Sequence, residues 1–394
     1  MSYSALARHW GLDPSFVFLN HGSFGATPVE ILDQQTRLRR RLENQPVRFM
    51  ERELAPLLAE AKQALGEFVG ARADDLAVVT NATTGVNAVL RSLDLRPGDE
   101  LLTTTHEYNA VQNALEFVAA RSGARVVVAE IPFPIDNPKQ AVDAVLARVS
   151  ERTKLAVLYH VSSPTALVMP IAETIAALNE RGVDTLVDGA HAPGMVDLDL
   201  DALGAAYYTG NCHKWMCAPK GVAFLHVRRD RAERVRPTVI SHGANAPGPG
   251  SRFQLEFDWQ GTFDPTGWLV LPDVIGYLDS LVDGGWPELR RRNHALAARA
   301  QQILCNTLEL PPPCPASMLG AMAAVALPDD VDAPRSGWAA PLKEELYQQH
   351  HIEVPVLYWP APPRRLLRIS AQLYNTEAQY QQLADAVAAL LRRD

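Results

Sequence analysis

A lysine and an aspartate near the middle of the chain have the types and surroundings that chemistry needs. Lys214 lies in the run 211–215, Asn-Cys-His-Lys-Trp, whose apolar members are untypical of a surface loop. Asp188 ends the apolar run 184–188, which is typical of a buried strand. A buried carboxylate needs a cationic partner, and a deprotonated amine is a nucleophile. The pair predicts a site for a molecule that offers a carbonyl carbon to the amine and a basic nitrogen to the acid.

Pyridoxal phosphate is a cofactor that matches this pair. Enzymes that hold it use a lysine to form a Schiff base and an acid to keep the pyridine nitrogen protonated. They also need a cradle for the phosphate and a group that stacks on the ring. Lys220 is a rival amine, but it lies in the Pro-Lys-Gly turn at 219–221, which favours exposure to solvent.

The segment 81–87 is a candidate phosphate cradle, because it joins a predicted strand to a predicted helix. Ala82 and Thr83 stand at the start of that helix, where free backbone N–H groups and the helix dipole favour a phosphate. Threonine is also common there as a simple helix cap. The chain has no P-loop and no GxGxxG fingerprint, which argues against a nucleotide.

An aromatic residue and a histidine follow two of the predicted strands. Tyr108 could stack on a flat cofactor or could equally pack into the core. The run His-Glu-Tyr-Asn at 106–109 is followed by Ala110 and so does not complete the zinc motif HExxH. His191 is close enough to Asp188 to reach the cofactor's phenolic oxygen, whereas Asp188 could instead serve only as a helix cap.

Short apolar runs alternate with amphipathic segments through the first part of the chain, which predicts a mostly parallel sheet covered by helices. No clear helix separates the last two strands, so we expect one antiparallel edge. The predicted strands are 76–80, 101–105, 126–131, 155–161, 184–188, 205–209 and 222–227. The predicted helices between them are 84–93, 110–121, 140–149 and 171–181.

The C-terminal part predicts a smaller α+β domain. Its expected helices are 265–282, 288–308, 341–350 and 376–392, and its expected strands are 321–327, 352–357 and 366–370. We therefore divide the chain into an N-terminal segment, 1–20, that packs on the small domain, a large cofactor-binding domain, 21–262, and a linker helix with the small domain, 263–394.

Composition narrows the class of protein. The chain has 394 residues, which is enough for two domains. Its net charge is -8, and it has no basic stripe of the kind that binds nucleic acid. Its four cysteines form no CxxC pair or metal-like cluster, which indicates a reduced, cytoplasmic protein. Residues 1–10 lack the apolar core of a signal peptide, and prolines interrupt the longest uncharged stretch, 310–328, so we expect no membrane span.

Taken together, these segments resemble the class V aminotransferases, a family of fold-type I pyridoxal phosphate enzymes. Within that family they are most similar to isopenicillin N epimerase-like proteins. The resemblance covers nearly the whole chain, in family order, at 18–28, 81–85, 105–110, 186–191, 213–221 and 367–375. It implies the pyridoxal-phosphate-dependent transferase fold, with a large domain built on a mostly parallel seven-stranded sheet and a smaller α+β domain.

The resemblance also implies a role for each matching residue. Lys214 would carry pyridoxal phosphate, Asp188 would pair with its pyridine nitrogen, His191 would sit beside its phenolic oxygen and Tyr108 would stack on its ring. The residues that would hold its phosphate are Ala82, Thr83, Asn211 and His213. Thr262 would reach the phosphate of a neighbouring subunit's cofactor, which implies a homodimer with shared sites.

The resemblance implies a small-molecule amino-acid substrate. Arg368 would bind its α-carboxylate in a bidentate contact, and Asn20 and His21 would lie near it. The reaction stays open between epimerisation, C–S lysis and transamination. Epimerisation needs a second acid on the far face, for which His21, Tyr358 and Tyr374 are candidates.

One departure from the family narrows the choice. Cysteine desulfurases carry a persulfide-forming cysteine on a mobile loop before or near the carboxylate-binding arginine, and residues 350–368 contain no cysteine. Desulfuration by that mechanism is therefore discounted, whereas a C–S lyase that needs no cysteine remains open. A nucleotide-using α/β enzyme and a non-enzymatic α/β ligand-binding module are two competing hypotheses from different classes of protein.

Overall fold

The computed structural model describes residues 3–248, 250–333 and 339–392, and the statements below concern those residues. The first two residues of the predicted N-terminal segment and parts of the predicted small domain (334–338, 393 and 394) lie outside them. The strands are β1 (Val17–Phe18), β2 (Leu76–Val79), β3 (Glu100–Thr104), β4 (Arg125–Ala129), β5 (Thr153–Tyr159), β6 (Asp184–Asp188), β7 (Tyr207–Asn211), β8 (Ala223–Val227), β9 (Met322–Leu327), β10 (Ile352–Glu353), β11 (Val356–Tyr358) and β12 (Arg365–Ser370).

The helices of the same residues are numbered in chain order. They are α1 (His21–Phe24), α2 (Val29–Asn44), α3 (Pro46–Arg48), α4 (Leu54–Val69), α5 (Ala82–Arg91), α6 (Asn109–Ser122), α7 (Pro138–Leu146), α8 (Ile171–Glu180), α9 (Leu200–Leu203), α10 (Arg252–Asp258), α11 (Thr266–Leu269), α12 (Leu271–Ser280), α13 (Gly285–Thr307), α14 (Pro341–His350) and α15 (Glu377–Leu391).

A seven-stranded sheet in the order β2-β8-β7-β6-β5-β3-β4 contains all seven strands predicted for this region. It is mostly parallel, as expected, and the predicted antiparallel pairing lies toward one edge. There β8 runs opposite to both β7 and β2, so that β2 regains the common direction. Neighbouring residues of β6, Leu186 and Val187, are fully buried in separate apolar clusters. Burial on both faces explains why these strands are almost continuously apolar.

Proline divides two elements that were predicted as continuous. The predicted helix 265–282 is split into α11 and α12, with Pro272 in the first turn of α12. The predicted strand 352–357 is split into β10 and β11 by Val354 and Pro355. Proline lacks the backbone N–H that a continuing helix or strand would use. The long helices α2 and α4 were not predicted, although α4 buries one apolar face against the core.

The smaller sheet has the antiparallel order β11-β12-β9 and carries Arg368 on its central strand. The N-terminal segment lies against this part of the chain. β1 pairs in parallel with β10, and the Ser4 N–H donates to the Tyr374 carbonyl at 3.0 Å. The domain boundaries themselves stay a prediction.

The start of the large domain holds the loop between β7 and β8. The Thr27 hydroxyl donates to the Ala218 carbonyl at 3.0 Å, and the Lys220 amine donates to the Gly25 carbonyl at 3.1 Å. Gly25 has a φ of 72°, and a Cβ at this position would lie 2.0 Å from the His213 carbonyl oxygen. Only glycine allows this approach, so the start of the large domain fixes the position of the loop that carries Lys214.

Replacing Gly25 by alanine should test this contact. Gly182→Ala is the matched control, because Gly182 has a φ of 71° but a Cβ added there would meet no atom within 4 Å. The control should lose about 1–2 kcal/mol of unfolding free energy from backbone strain alone. Gly25→Ala should lose about 1–3 kcal/mol more, since the added methyl overpacks the loop and the ψ of 170° at Gly25 lies outside the left-handed helical region. Urea denaturation measures both, and equal losses would contradict the proposed clash.

Candidate active site

The predicted site residues gather where the parallel strands end. Tyr159, Asp188 and Thr209 are neighbours in register across β5, β6 and β7. Glu107 follows β3, and α5 begins beside the end of β7, where Asn211 accepts a hydrogen bond from the Ala82 N–H. This edge is the usual ligand crevice of an open α/β sheet.

The Lys214 amine is surrounded by protein groups, and its pKa is lowered so that part of it is uncharged. The nitrogen Nζ lies 3.2 Å from His191 Nε2. Burial lowers the pKa of Lys214 to about 7, although the negative charge of Asp188 opposes the shift. A large share of this amine is therefore neutral near neutral pH, which is the form that attacks a carbonyl carbon. Lys220, by contrast, is bonded to Gly25 at the surface, as expected of the rival amine.

Asp188 is buried at the carboxyl end of β6. Its oxygen Oδ1 accepts the Ala190 N–H at 2.9 Å, so it makes the turn contact that a purely structural role would predict. Burial raises the pKa of Asp188, while that hydrogen bond and the positive charge of Lys214 lower it. The contacts within the protein thus do not fully offset the cost of burying the Asp188 charge, as expected of a carboxylate that pairs with a cation of a ligand.

Glu107 was missed as a site residue, because its run was tested only against the zinc motif. Burial raises its pKa well above the usual range, and the negative charge of Asp188 raises it further. Since two adjacent buried acids cannot both ionise easily, Glu107 keeps its proton and Asp188 carries the charge. Among the described residues, Glu107 Oε2 and the Tyr159 hydroxyl are buried without a hydrogen-bond partner. A glutamate directly after a buried strand was the available signal.

Tyr108 is 48% exposed, which excludes the possibility that its ring packs into the core. Its backbone N–H donates to Glu107 Oε1 at 2.9 Å, so the loop after β3 is fixed by the neutral acid. A half-exposed ring at the strand ends is available to stack on a planar ligand.

The start of α5 provides part of the predicted phosphate cradle. Asn81 caps the helix by accepting the Thr84 N–H at 2.9 Å, and Asn211 accepts the Ala82 N–H at 2.8 Å. The side-chain oxygen of Asn211 and the N–H of Ala82 are therefore already hydrogen-bonded to each other, which the sequence did not indicate. Thr83 lies between these two contacts and is half-buried at the helix start.

Two other predicted phosphate ligands differ in position. His213 donates from Nδ1 to the Val222 carbonyl at 3.0 Å, which leaves its Nε2 for a ligand. Thr262 is exposed on the loop between α10 and α11 and makes no described contact with the cluster of this chain.

Arg368 is a buried cation with unused hydrogen-bonding capacity. It is 4% exposed, and burial lowers its pKa only to about 10, so it stays charged. The nitrogen Nη1 donates to the Ser163 carbonyl at 2.6 Å, and Nη2 donates to the Ser23 hydroxyl at 3.0 Å. The nitrogen Nε is buried without a partner, and no carboxylate of the described residues pairs with the guanidinium. A buried, unpaired guanidinium suits a carboxylate ligand.

Asn20, which was predicted to lie near the substrate, lies beside Arg368, with its oxygen 3.5 Å from Nη2. Its amide nitrogen donates to Glu353 Oε1 at 2.9 Å, which ties the N-terminal segment to the small domain. Ser23 and Ser163 were not predicted, because serine in a loop has no distinctive pattern.

His21 lies beneath the lysine loop. It donates from Nε2 to the Lys214 carbonyl at 3.0 Å, and its Nδ1 accepts the Tyr374 hydroxyl at 2.8 Å. Burial lowers the pKa of His21 to about 3, so the ring is neutral. The Tyr358 hydroxyl donates to Asp330 at 2.5 Å. Each candidate for the far-face acid is thus bonded to another protein group.

The arrangement fits pyridoxal phosphate. An enclosed amine, a buried ionised acid, a half-exposed ring and a helix start surround one crevice, and Arg368 adds an unpaired cation beside it. Lys214 would bind the aldehyde, Asp188 would face the pyridine nitrogen, and Thr83 with His213 would meet the phosphate. The described residues contain no cluster of side chains suited to a metal ion and no helix long and apolar enough to cross a membrane.

Glu107→Gln should leave the stability of the fold almost unchanged, within about 1 kcal/mol, because the carboxyl is already neutral and the amide oxygen can still accept the Tyr108 N–H. Glu107→Ala removes that acceptor and leaves a cavity, so it should cost about 2–4 kcal/mol. Thermal and urea denaturation compare the two variants. A large loss in Glu107→Gln would show that the charged form is required.

Comparison with known proteins agrees with this geometry. The model of the family described as aminotransferase class-V matches residues 25–383. The chain is 38% identical to an isopenicillin N epimerase of Amycolatopsis lactamdurans, over 96% of both chains. It is 31% identical to a probable chloroplastic L-cysteine desulfhydrase of Arabidopsis thaliana, over 96% of this chain and 84% of that protein. A solved structure of a C-DES mutant with glycine covalently linked to its pyridoxal phosphate shares the fold, with a TM-score of 0.78, 23% identity and coverage of 95% and 97%. The chain therefore belongs to the aminotransferase class-V family of pyridoxal phosphate enzymes.

Proposed function

We propose that this enzyme removes the α-proton of an amino-acid substrate and returns a proton to the opposite face, and so acts as an epimerase. The observation that carries the proposal is the enclosed Lys214 amine, with its pKa lowered to about 7, next to the ionised Asp188. A base with a pKa near neutrality is suited to proton abstraction. The likeness to an isopenicillin N epimerase supports this choice of reaction.

Each residue has a separate task in this proposal. Arg368 binds the substrate carboxylate through its free N–H, and Asn20 and Ser23 hold the guanidinium in place. Asp188 keeps a negative charge beneath the ligand, because Glu107 retains the shared proton. Lys214 accepts the α-proton. When bound, pyridoxal phosphate supplies the electron sink that makes this proton acidic.

A C–S lyase is the second candidate, supported by the likeness to a probable L-cysteine desulfhydrase. It would use the same base and the same carboxylate site, and would differ only in the bond that breaks afterwards. A persulfide mechanism is disfavoured, because all four cysteines are buried and burial raises the pKa of each thiol. A thiol with a raised pKa is a poor nucleophile.

We also propose a cytoplasmic homodimer with shared sites. Several large apolar side chains are exposed in this chain, including Phe24 at 74%, Ile240 at 63% and Phe263 at 37%. Phe263 follows Thr262 directly, so a partner that covers Phe263 would also receive the Thr262 loop. Exposed apolar surface of this kind is typical of subunit contacts.

Lys214→Ala should abolish covalent attachment of pyridoxal phosphate. Borohydride reduction followed by mass spectrometry of the peptides should find the cofactor on Lys214 in the wild type and on no residue in the variant. Lys220→Ala is the matched control and should retain the label, because the Lys220 amine is bonded to Gly25. Cofactor attached to another lysine of the wild type would overturn the assignment.

Incubation in heavy water with amino acids and S-substituted cysteines separates the two reactions. Deuterium at the α-carbon together with loss of optical purity supports the epimerase, whereas release of pyruvate supports the lyase. Both should be lost, by at least about 1,000-fold, in Lys214→Ala, since the base is missing. If neither deuterium exchange nor pyruvate release were detected with any substrate of the panel, an action at the α-carbon would be refuted.

A further inference from the structure

His191 occupies a fully enclosed position between the side chains of two consecutive residues. It is 2% exposed, and its Nε2 lies 3.2 Å from the Lys214 amine. On the other side of the ring, the indole N–H of Trp215 donates to Nδ1 at 3.4 Å. Trp215 is 1% exposed, and its ring packs against His21 at a centroid distance of 4.9 Å, so the indole cannot turn away easily.

The indole contact decides which nitrogen of His191 carries the proton. An indole nitrogen can only donate, so the nitrogen that faces it must have a free lone pair. In a neutral imidazole the proton then resides on Nε2. That N–H points at the Lys214 amine, which can accept a hydrogen bond only when it has lost its own proton.

We infer that Trp215 is a positioning residue that locks His191 as the Nε2–H tautomer, and that this donor holds the Lys214 amine in its neutral, nucleophilic form. The inference rests on the proposed role of Lys214 and adds how the protein prepares that amine. If the indole contact were absent, the ring could protonate at Nδ1 and offer a lone pair to the lysine instead. That tautomer would favour the charged ammonium.

The charges around His191 support a neutral ring. Burial lowers the pKa of His191 well below its ordinary value, and the neighbouring groups Lys214, Arg368, His21 and His213 lower it further. The imidazolium form is therefore absent at neutral pH, and the ring has only its two neutral tautomers. Burial and the positive charge of Arg368 also lower the pKa of Lys214, in the same direction as the hydrogen bond, whereas the negative charge of Asp188 opposes them.

The tautomer can be measured directly in the cofactor-free protein. Protein labelled with ¹⁵N-histidine should show one His191 imidazole with the proton on Nε2, and the signal is assigned by its loss in His191→Gln. In Trp215→Phe the His191 signal should move toward a mixture of both tautomers. A wild-type His191 protonated on Nδ1, or on both nitrogens, would overturn the inference.

The consequence for the amine is measured by the pH dependence of its capture of pyridoxal phosphate, followed by stopped-flow absorbance. The capture rate should rise through a midpoint near pH 7 in the wild type. Loss of the donor removes a stabilising contact of the neutral amine, so Trp215→Phe should raise the midpoint by about 0.5–1 unit.

Two variants separate this role from simple packing. Trp286→Phe is the matched control, because its buried indole N–H donates to the Ile275 carbonyl at 3.0 Å and no midpoint shift is expected. His191→Gln supplies an amide N–H whose proton does not depend on the indole. Adding Trp215→Phe to His191→Gln should therefore leave the midpoint unchanged.

Different results would overturn the inference about Trp215 and the proposed function of Lys214. A shift in Trp215→Phe no larger than in Trp286→Phe, or an equal shift in the His191→Gln background, would overturn the tautomer lock. If capture instead continued in Lys214→Ala, the proposed function would fail, whereas the tautomer measured by nuclear magnetic resonance would still stand or fall independently.

Discussion

Exclusion of water from the Lys214 amine is the constraint on which the rest of this structure depends. A lysine in water is charged and unreactive, and burial, with a smaller contribution from the charge of Arg368, brings the pKa of Lys214 to about 7. Burial of a cation is costly, so the enclosure must come from elements that are stable for other reasons. Residues that follow the seven-stranded sheet, the start of the large domain and the small-domain region each contribute neighbours of Lys214.

Residues 4–27, which include most of the N-terminal segment and the start of the large domain, are therefore a structural part of the site. His21 bonds to the Lys214 carbonyl, and Gly25 approaches the loop too closely for any other residue. The same segment bonds to Tyr374 and Glu353 of the small-domain region and supports Arg368 through Asn20. One stretch of chain thus positions both Lys214, the proposed base, and Arg368, the proposed carboxylate-binding group.

The protonation states of the buried acids and cations in the site also depend on one another. Glu107 takes up a proton so that Asp188 can remain ionised, and Arg368 stays charged while its Nε lacks a partner. These buried groups are incompletely satisfied by the protein, which is typical of sites that are completed by a ligand. The same groups would serve both epimerisation and C–S lysis. The residues that contact the substrate beyond its α-carbon must therefore determine which reaction occurs.

The sequence alone determined the order of strands and helices in the large domain, because strands buried on both faces must be apolar and the helices between them amphipathic. It also predicted Lys214 and Asp188 from their residue types in apolar surroundings, and Arg368 from the resemblance to the class V aminotransferases. Only the tertiary structure decided that Glu107 joins Asp188, that Asn211 is bonded to Ala82, and that Trp215 faces His191. These relations depend on distances between residues on separate strands and loops, and on burial, which sets the protonation of each group. Local sequence patterns carry neither quantity.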